Sequence, residues 1–185
     1  MPAMHRLAEK LHQSCHLAVL SGNEIVVVAR VESPHLLGFA VRVGYRVPVL
    51  LSPSGRVLLA YRTPERQQAW IETMLDERSE PKAIQSFLED IRQTAASGYH
   101  HAPSVFVDAI TGLGVPIFDG VSQGPAASLM VPNVSGSSAF STVDEALHDL
   151  LAAASEIGDG MRHGQGPCRN DDDNSCVRRR FKKGW

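Results

Sequence analysis

Hydrophobic residues recur along the chain with two different spacings, and each spacing predicts a different kind of element. Leu7 and Leu11 lie one helical turn apart, which predicts an amphipathic helix over residues 3–14. The hydrophobic runs that follow are rich in β-branched residues, and the first two are joined by Ser21-Gly22-Asn23, a connection typical of a β-hairpin. Strands are therefore predicted at 15–20, 24–33, 36–41 and 45–50.

Helical spacing returns in the middle of the chain. Residues 84, 87, 88 and 91 are all apolar and follow the i, i+3, i+4, i+7 pattern of one helix face, and Gly98 is well placed to end that helix. Pro64 suits the first position of another helix, and Ser52 or Ser54 suits the N-cap of a third. The pattern predicts helices over 56–61, 63–75 and 81–97.

The last third of the chain returns to strand-like runs and ends in one helix. Thr142 and Glu145 have the spacing of a capping box, and Gly158 is the expected end of the helix that they begin. The order helix, strands, helices, strands, helix predicts an α+β fold, an antiparallel sheet with helices on its faces. The predicted elements are strands at 105–110, 115–118 and 126–131, and a helix over 142–157.

Composition and charge narrow the class of protein. With 185 residues and 43% apolar residues, the chain has room for one globular domain, and the absence of an 18-residue apolar run argues against a membrane span. Three cysteines and an N-terminus without an apolar signal region predict a soluble, cytoplasmic protein. Residues 161–185 hold seven basic and three acidic residues, whereas the rest holds eleven and seventeen. We expect a domain at 1–158 and a disordered basic tail at 159–185, and the acidic domain is a poor surface for nucleic acid.

Two groups of potential metal ligands fail the spacing test for a metal site. Cys15 and His16 are adjacent on a predicted strand, so their side chains should point to opposite faces and should not reach one ion. The second group lacks a C-x-x-C pairing, so no metal and no cofactor is predicted. The first group also includes His5 and His12, and the second comprises His163, Cys168, Asp171, Asp172, Asp173 and Cys176.

Catalytic motifs are absent from the sequence. None of the patterns GxSxG, HExxH, GxxxxGK[ST] or GxGxxG occurs, and His100 and His101 follow a predicted helix end without a recognisable nucleophile. One alternative is a small hydrolase or lyase that pairs His100 or His101 with Asp108 or Asp119. A second alternative is a pure dimerisation module, and both remain open at this stage.

Several short blocks, taken in order, resemble the effector-binding domain of the IclR family of bacterial transcription regulators. The family has a Val/Arg-rich strand, a G-x-x-x-P turn, a small-residue G-K-x-x-L-A segment, a helix ending near G-Y, a P-V-F-D strand end and a small-residue strand. Each block is short, but the blocks occur in the order that the family has, and the resemblance extends over residues 5–158. The matching segments are EIVVVARV (24–31), GYRVP (44–48), SGRVLLA (54–60), GY (98–99), VPIFD (115–119) and AASL (126–129).

The resemblance implies a GAF-like domain with a curved antiparallel sheet flanked by helices. It implies a protein that is not an enzyme, binds a small-molecule effector and assembles as a homodimer or homotetramer. It also implies that DNA binding belongs to an N-terminal winged helix-turn-helix domain that this chain lacks. The implied effector-binding positions are Pro53, Ser54, Gly55, Ala102, Gly112, Leu129 and Val131.

The residue types at these positions predict the kind of effector. Most of them are apolar, and Arg56 stands where the family usually has lysine. A pocket with few polar groups gains affinity mainly from buried apolar area, at about 25 cal/mol per Å². We therefore expect a bulky effector such as an aromatic acid rather than a two-carbon acid. Ser54 and the first N–H groups of the following helix are the expected carboxylate anchor, although Pro53 removes one donor.

Overall fold

The described part of the chain forms a six-stranded antiparallel sheet with five α-helices. The computed structural model describes residues 2–35, 38–74, 81–104, 107–108, 110–134 and 142–164. The strand order is β3-β2-β1-β6-β5-β4, so the first three strands and the last three join at β1 and β6. The elements are α1 (Pro2–Leu11), β1 (Cys15–Ser21), β2 (Glu24–Val31), β3 (Arg46–Pro48), α2 (Pro53–Ala60), α3 (Pro64–Met74), α4 (Pro81–Ser97), β4 (His100–Pro103), β5 (Ile110–Ile117), β6 (Ala127–Val134) and α5 (Val143–Gly164).

One face of the sheet is covered by α1 and α5. Alternate residues of β1, β5 and β6 point to this face, and Leu17, Val115 and Leu129 are buried there among the apolar residues of both helices. Lys10 of α1 also pairs with Asp149 of α5 at 2.7 Å. This side of the molecule is a solid apolar core.

The other face is covered by α2 and α4, and only in part. Ile25, Val49 and Leu58 belong to a second buried cluster, where α2 packs against the sheet and α4 packs against α2. Because α2 has only eight residues, it is about 12 Å long and does not span the width of the six strands.

The predicted α+β class is confirmed, as are most of the predicted elements. The Thr142 cap forms, since its hydroxyl accepts a hydrogen bond from the Glu145 N–H at 3.2 Å, and Gly98 ends α4 with a φ of +86°. The β1–β2 and β5–β6 pairs are antiparallel as expected.

Several predicted strand and helix limits are wrong. Residues 38–41 of the predicted strand 36–41 form no strand, and the strand expected at 45–50 shortens to β3 followed by a 3-10 turn, Val49–Leu51. The helix predicted to begin at residue 56 begins at Pro53. Ser52 takes the N-cap position, but its side chain makes no capping hydrogen bond. Strand β4, which pairs with β5, was not predicted from the sequence. Residues 105, 106 and 109 of the predicted strand 105–110 lie outside the described residues.

The predicted helix end at Gly158 is also wrong, since α5 continues to Gly164. Gly158 is required for close packing instead: a Cβ there would lie 2.5 Å from the Phe118 carbonyl oxygen. Arg162 donates a hydrogen bond to the same carbonyl, which ties the final turns of the helix to the sheet. Residues 159–164 of the predicted tail are therefore helical, and residues 165–185 lie outside the described part of the chain.

No helix within the described residues is long and apolar enough to cross a membrane.

The two glycines of α5 give a matched test of this packing. Gly158→Ala should destabilise the fold by about 2 kcal/mol because the added methyl group meets a backbone oxygen. Gly160→Ala has no atom within 4 Å of its Cβ and should stabilise the helix by up to about 1 kcal/mol. Urea unfolding of both variants measures the difference, and equal free energies of unfolding would contradict the close contact at Gly158.

Candidate functional site

A cavity of about 440 Å³ lies where α2 leaves the second face of the sheet uncovered. Its floor is the sheet, one wall is the start of α2, and another is the segment 39–45 between β2 and β3. The lining is mainly apolar. The lining residues are His16, Ile25, Val27, Phe39, Val41, Arg42, Tyr45, Val47, Ser52, Pro53, Ser54, Ser104, Ile110, Gly112, Met130 and Pro132.

Two glycines of β5 lie beside the Met130 side chain, which lines the cavity. A Cβ at Gly112 would make ordinary van der Waals contact with the Met130 methyl group, at 3.6 Å, and with Pro53 Cβ, at 3.9 Å. A Cβ at Gly114 would lie 2.1 Å from the Met130 sulfur, so the Met130 side chain lies across this glycine. Met130 is unbranched and polarizable, and a thioether is a favourable neighbour for an aromatic ring.

Two serine hydroxyls face the cavity at the start of α2. Ser52 and Ser54 are 4% and 3% exposed, and neither hydroxyl has a hydrogen-bond partner among the described residues. Ser54 lies in the first turn of the helix, where the helix dipole is positive, although the Gly55 and Arg56 N–H groups already donate to the Ser52 carbonyl. Pro53 occupies the first helical position and contributes no donor. This edge of the cavity therefore offers donors to an anion.

A positively charged side chain lies on the wall formed by residues 39–45. Arg42 lines the cavity, and within the described part of the chain its guanidinium makes no hydrogen bond or ion pair. The side chain is exposed, so it can turn towards a negatively charged group without losing an existing partner.

His16 contributes a neutral imidazole to the cavity. Burial lowers the pKa of His16 to about 4, so at pH 7 the ring carries no charge and offers one donor and one acceptor. Cys15, the preceding residue, points to the opposite face, where its thiol contacts the carbonyl of Met4 in α1. The predicted opposite orientation of Cys15 and His16 is confirmed.

The structure brings three of the seven predicted positions together at the cavity. Pro53, Ser54 and Gly112 line it, with Pro53 Cβ 3.9 Å from the Cβ position of Gly112. Gly55 lies next to them but packs against the 3-10 turn, since a Cβ there would lie 2.3 Å from the Val49 carbonyl oxygen. Ala102 lies across the strand pair from Gly112 and lines a separate groove beside α4.

Leu129 and Val131 do not line the cavity. Both are buried in the core formed with α1 and α5. Successive residues of a strand point to opposite faces, so the cavity side of β6 carries Met130 and Pro132 instead. His16 and Arg42 also line the cavity, and neither was predicted from the sequence. The alternation of β1 was a signal for His16, whereas Arg42 lies on a loop with no periodic pattern.

The arrangement does not assemble the histidine–aspartate pair of the enzyme alternative. The Nδ1 atom of His100 lies 3.1 Å from the Thr94 hydroxyl, and burial lowers the pKa of His100 to about 4. Asp119 accepts hydrogen bonds from the Val121 and Ser122 N–H groups and the Ser122 hydroxyl, and these bonds lower its pKa to about 2. Neither His100 nor His101 contacts a carboxylate of the required pair within the described residues.

Within the described residues, no group of three or more His, Cys, Asp or Glu side chains is arranged to hold a metal ion. Cys168, Cys176 and the three aspartates near them lie outside that part of the chain.

Comparison with known proteins places the chain among bacterial regulators. Residues 1–159 match the family model described as "Bacterial transcriptional regulator IclR C-terminal". The Pca regulon regulatory protein of Pseudomonas putida is 28% identical over 166 residues, which cover 83% of this chain and 54% of that protein. The chain thus spans about half the length of this relative.

Solved structures show the same fold. A transcriptional regulator from Rhodococcus sp. RHA1 is 23% identical, with a TM-score of 0.74 over 89% of this chain and 68% of that chain. An IclR homologue from Microbacterium hydrocarbonoxydans, solved as a complex with 4-hydroxybenzoate, is 25% identical. Its TM-score is 0.69 over 88% of this chain and 66% of that chain.

His16 and His100 predict a specific pH dependence of stability. His16 and His100 have folded pKa values of about 4, below the ordinary value of 6.5, so only the unfolded chain binds their protons between these limits. The free energy of unfolding should therefore fall as the pH is lowered from 6.5 to 4. The slope of this fall measures how many more protons the unfolded chain binds than the folded chain, and His16→Gln should reduce that number by about one.

Urea unfolding at closely spaced pH values measures the slope. His148→Gln, which removes an exposed imidazole from α5, controls for the loss of a surface ring. A slope unchanged by His16→Gln would show that this ring is protonated in the folded chain.

Proposed function

Because the chain belongs to the family of IclR C-terminal domains of bacterial transcriptional regulators, we propose that it is a small-molecule sensor whose effector occupies the cavity beside α2. The observation that carries this proposal is the cavity itself. Its volume of about 440 Å³ lies within the range of ligand sites, and it opens on a sheet face that the rest of the fold leaves uncovered.

The proposed effector is an organic acid with an apolar, preferably aromatic, body. Ile25, Val27, Phe39, Val41 and Met130 offer an apolar surface much larger than a two-carbon acid can cover. The cavity is also roomy enough for a benzene ring with one substituent. The 4-hydroxybenzoate complex of the Microbacterium relative supports this class of ligand.

The proposed carboxylate anchor is the start of α2, with Arg42 as a second group. The hydroxyls of Ser52 and Ser54 have no hydrogen-bond partner among the described residues, and a carboxylate can accept a hydrogen bond from each. The positive end of the helix dipole favours the anion at the same place. Arg42 supplies a charge that can close over the bound acid from the other wall.

Regulation follows from where the cavity lies relative to α1. Strand β1 carries His16 on the cavity face and Cys15 on the face that contacts α1. A ligand that shifts this strand therefore also shifts the surface against which α1 packs. A ligand can bias two states only by its difference in affinity for them, typically 1–3 kcal/mol. Assembly as a homodimer or homotetramer, and DNA binding through a separate N-terminal domain, belong to the same proposal.

A thermal-shift panel tests the proposed ligand class. We expect 4-hydroxybenzoate and benzoate to raise the Tm, and glyoxylate and pyruvate to have much smaller effects at equal concentration. At one hundred times its dissociation constant a ligand should add about 2.7 kcal/mol to the free energy of unfolding. Stabilisation by the small acids alone would overturn the aromatic assignment, and turnover of the bound acid, followed by chromatography, would support the enzyme alternative. A dimer that responds to no acid would support the dimerisation module.

Substitutions at the proposed anchor give a sharper prediction. Ser54→Ala and Arg42→Gln should each weaken 4-hydroxybenzoate binding by about tenfold, since each removes a hydrogen bond to a charged group. Arg46→Gln is the matched control, because Arg46 is also an exposed arginine near β2 but pairs with Glu24 and does not line the cavity. Calorimetric titration measures the three affinities. Equal losses in all three variants would contradict a specific anchor.

A further inference from the structure

A partly buried arginine contacts the cavity edge that carries the two serines. Arg56, in the second turn of α2, donates from Nη1 to the carbonyl oxygens of Leu50 and Ser52 at 3.3 and 3.2 Å. Its Nε donates to the Asp90 carboxylate of α4 at 2.6 Å, and its guanidinium carbon lies 5.1 Å from the centre of the Phe87 ring. The side chain is 13% exposed. One guanidinium therefore joins the turn before α2, the helix itself and α4.

We propose that Arg56, held by Asp90, is a positioning residue that sets the donors at the start of α2 and so gives the cavity its preference for a carboxylate over an uncharged group. This inference rests on the proposed function. Arg56 does not line the cavity, so its effect reaches a ligand only through the residues that it holds.

These contacts indicate that Arg56 acts by holding the Ser52 backbone in position rather than by its charge. Ser52 has the extended backbone of an N-cap, and its carbonyl also accepts hydrogen bonds from the Gly55 and Arg56 N–H groups. Its hydroxyl makes no capping bond, so the helix does not hold that hydroxyl in place. The guanidinium bonds to Leu50 and Ser52 restrain the backbone on which the hydroxyl stands. Since Asp90 pairs with Arg56, the charge of the arginine is largely compensated at the cavity.

A lysine at this position does not reproduce the arrangement. Three acceptors from two segments surround the guanidinium, and its planar fork matches them while also stacking on Phe87. An ammonium group keeps the charge but lacks the fork and the flat face.

The test compares an acid with its uncharged counterpart. Dissociation constants for 4-hydroxybenzoate and 4-hydroxybenzamide are measured by calorimetry on the full chain for wild type, Arg56→Lys, Arg56→Gln and Asp90→Asn. We expect Arg56→Gln to weaken binding of the acid by about tenfold and of the amide by less than about twofold, as for loss of one well-placed charged hydrogen bond. Arg56→Lys should lie between wild type and Arg56→Gln, and Asp90→Asn should show the same selectivity in smaller measure.

The ratio of the two affinities separates positioning from stability. A variant that only destabilises the fold loses affinity for both ligands by the same factor, and that result would overturn the proposal. Asp90→Asn retains the arginine, so it provides the same test if Arg56→Gln folds poorly. Arg92→Gln is the matched control, since Arg92 pairs with Glu89 on the surface of α4. Unchanged ratios in all variants would also overturn it. If wild type binds neither ligand, the proposed function fails first, and this inference fails with it.

Discussion

The fold depends on the rule that a sheet has two faces and that each residue of a strand belongs to one of them. In β1, β5 and β6 this alternation sends Leu17, Val115 and Leu129 into a solid core against α1 and α5. It sends His16, Gly112 and Met130 to the other face, where short α2 gives incomplete cover. The core and the cavity are thus made by the same three strands. A ligand in the cavity touches residues whose immediate neighbours along the chain support α1, which makes the sheet itself the mechanical link in the proposed regulation.

The electrostatics of the cavity suit an acid with an apolar body. Its titratable imidazole is neutral at pH 7 because burial lowers the pKa of His16, so the ring adds no competing charge. The two arginines have different roles. Arg42 faces the cavity without a partner among the described residues, whereas Arg56 bonds to Asp90 and to the carbonyl groups of Leu50 and Ser52. In the proposed complex, specificity comes from donors with fixed positions, and affinity comes from the apolar floor and walls.

Much of the fold could be predicted because its signals are local. The Gly22 hairpin, the Thr142 cap and the stripe through Phe87 each depend on a few neighbouring residues. The site was predicted less well because it depends on contacts across the sheet. Leu129 and Val131 were placed at the cavity one residue out of register, and a shift of one residue reverses the face. Gly158 has the sequence context of a helix end, and only the nearby Phe118 carbonyl explains its presence within α5. Arg42 lies on a loop, where no periodicity indicates which side chains will meet.

The central claim is that an aromatic acid binds between α2 and the second face of the sheet, with its carboxylate towards the serines. A crystal structure with 4-bromobenzoate, phased to locate bromine by its anomalous signal, tests this most directly. The halogen should appear over the apolar floor near Met130 and Gly112, with the carboxylate within hydrogen-bonding distance of Ser54. A bromine peak outside this cavity, or a cavity filled by its own side chains while the acid binds elsewhere, would contradict the claim.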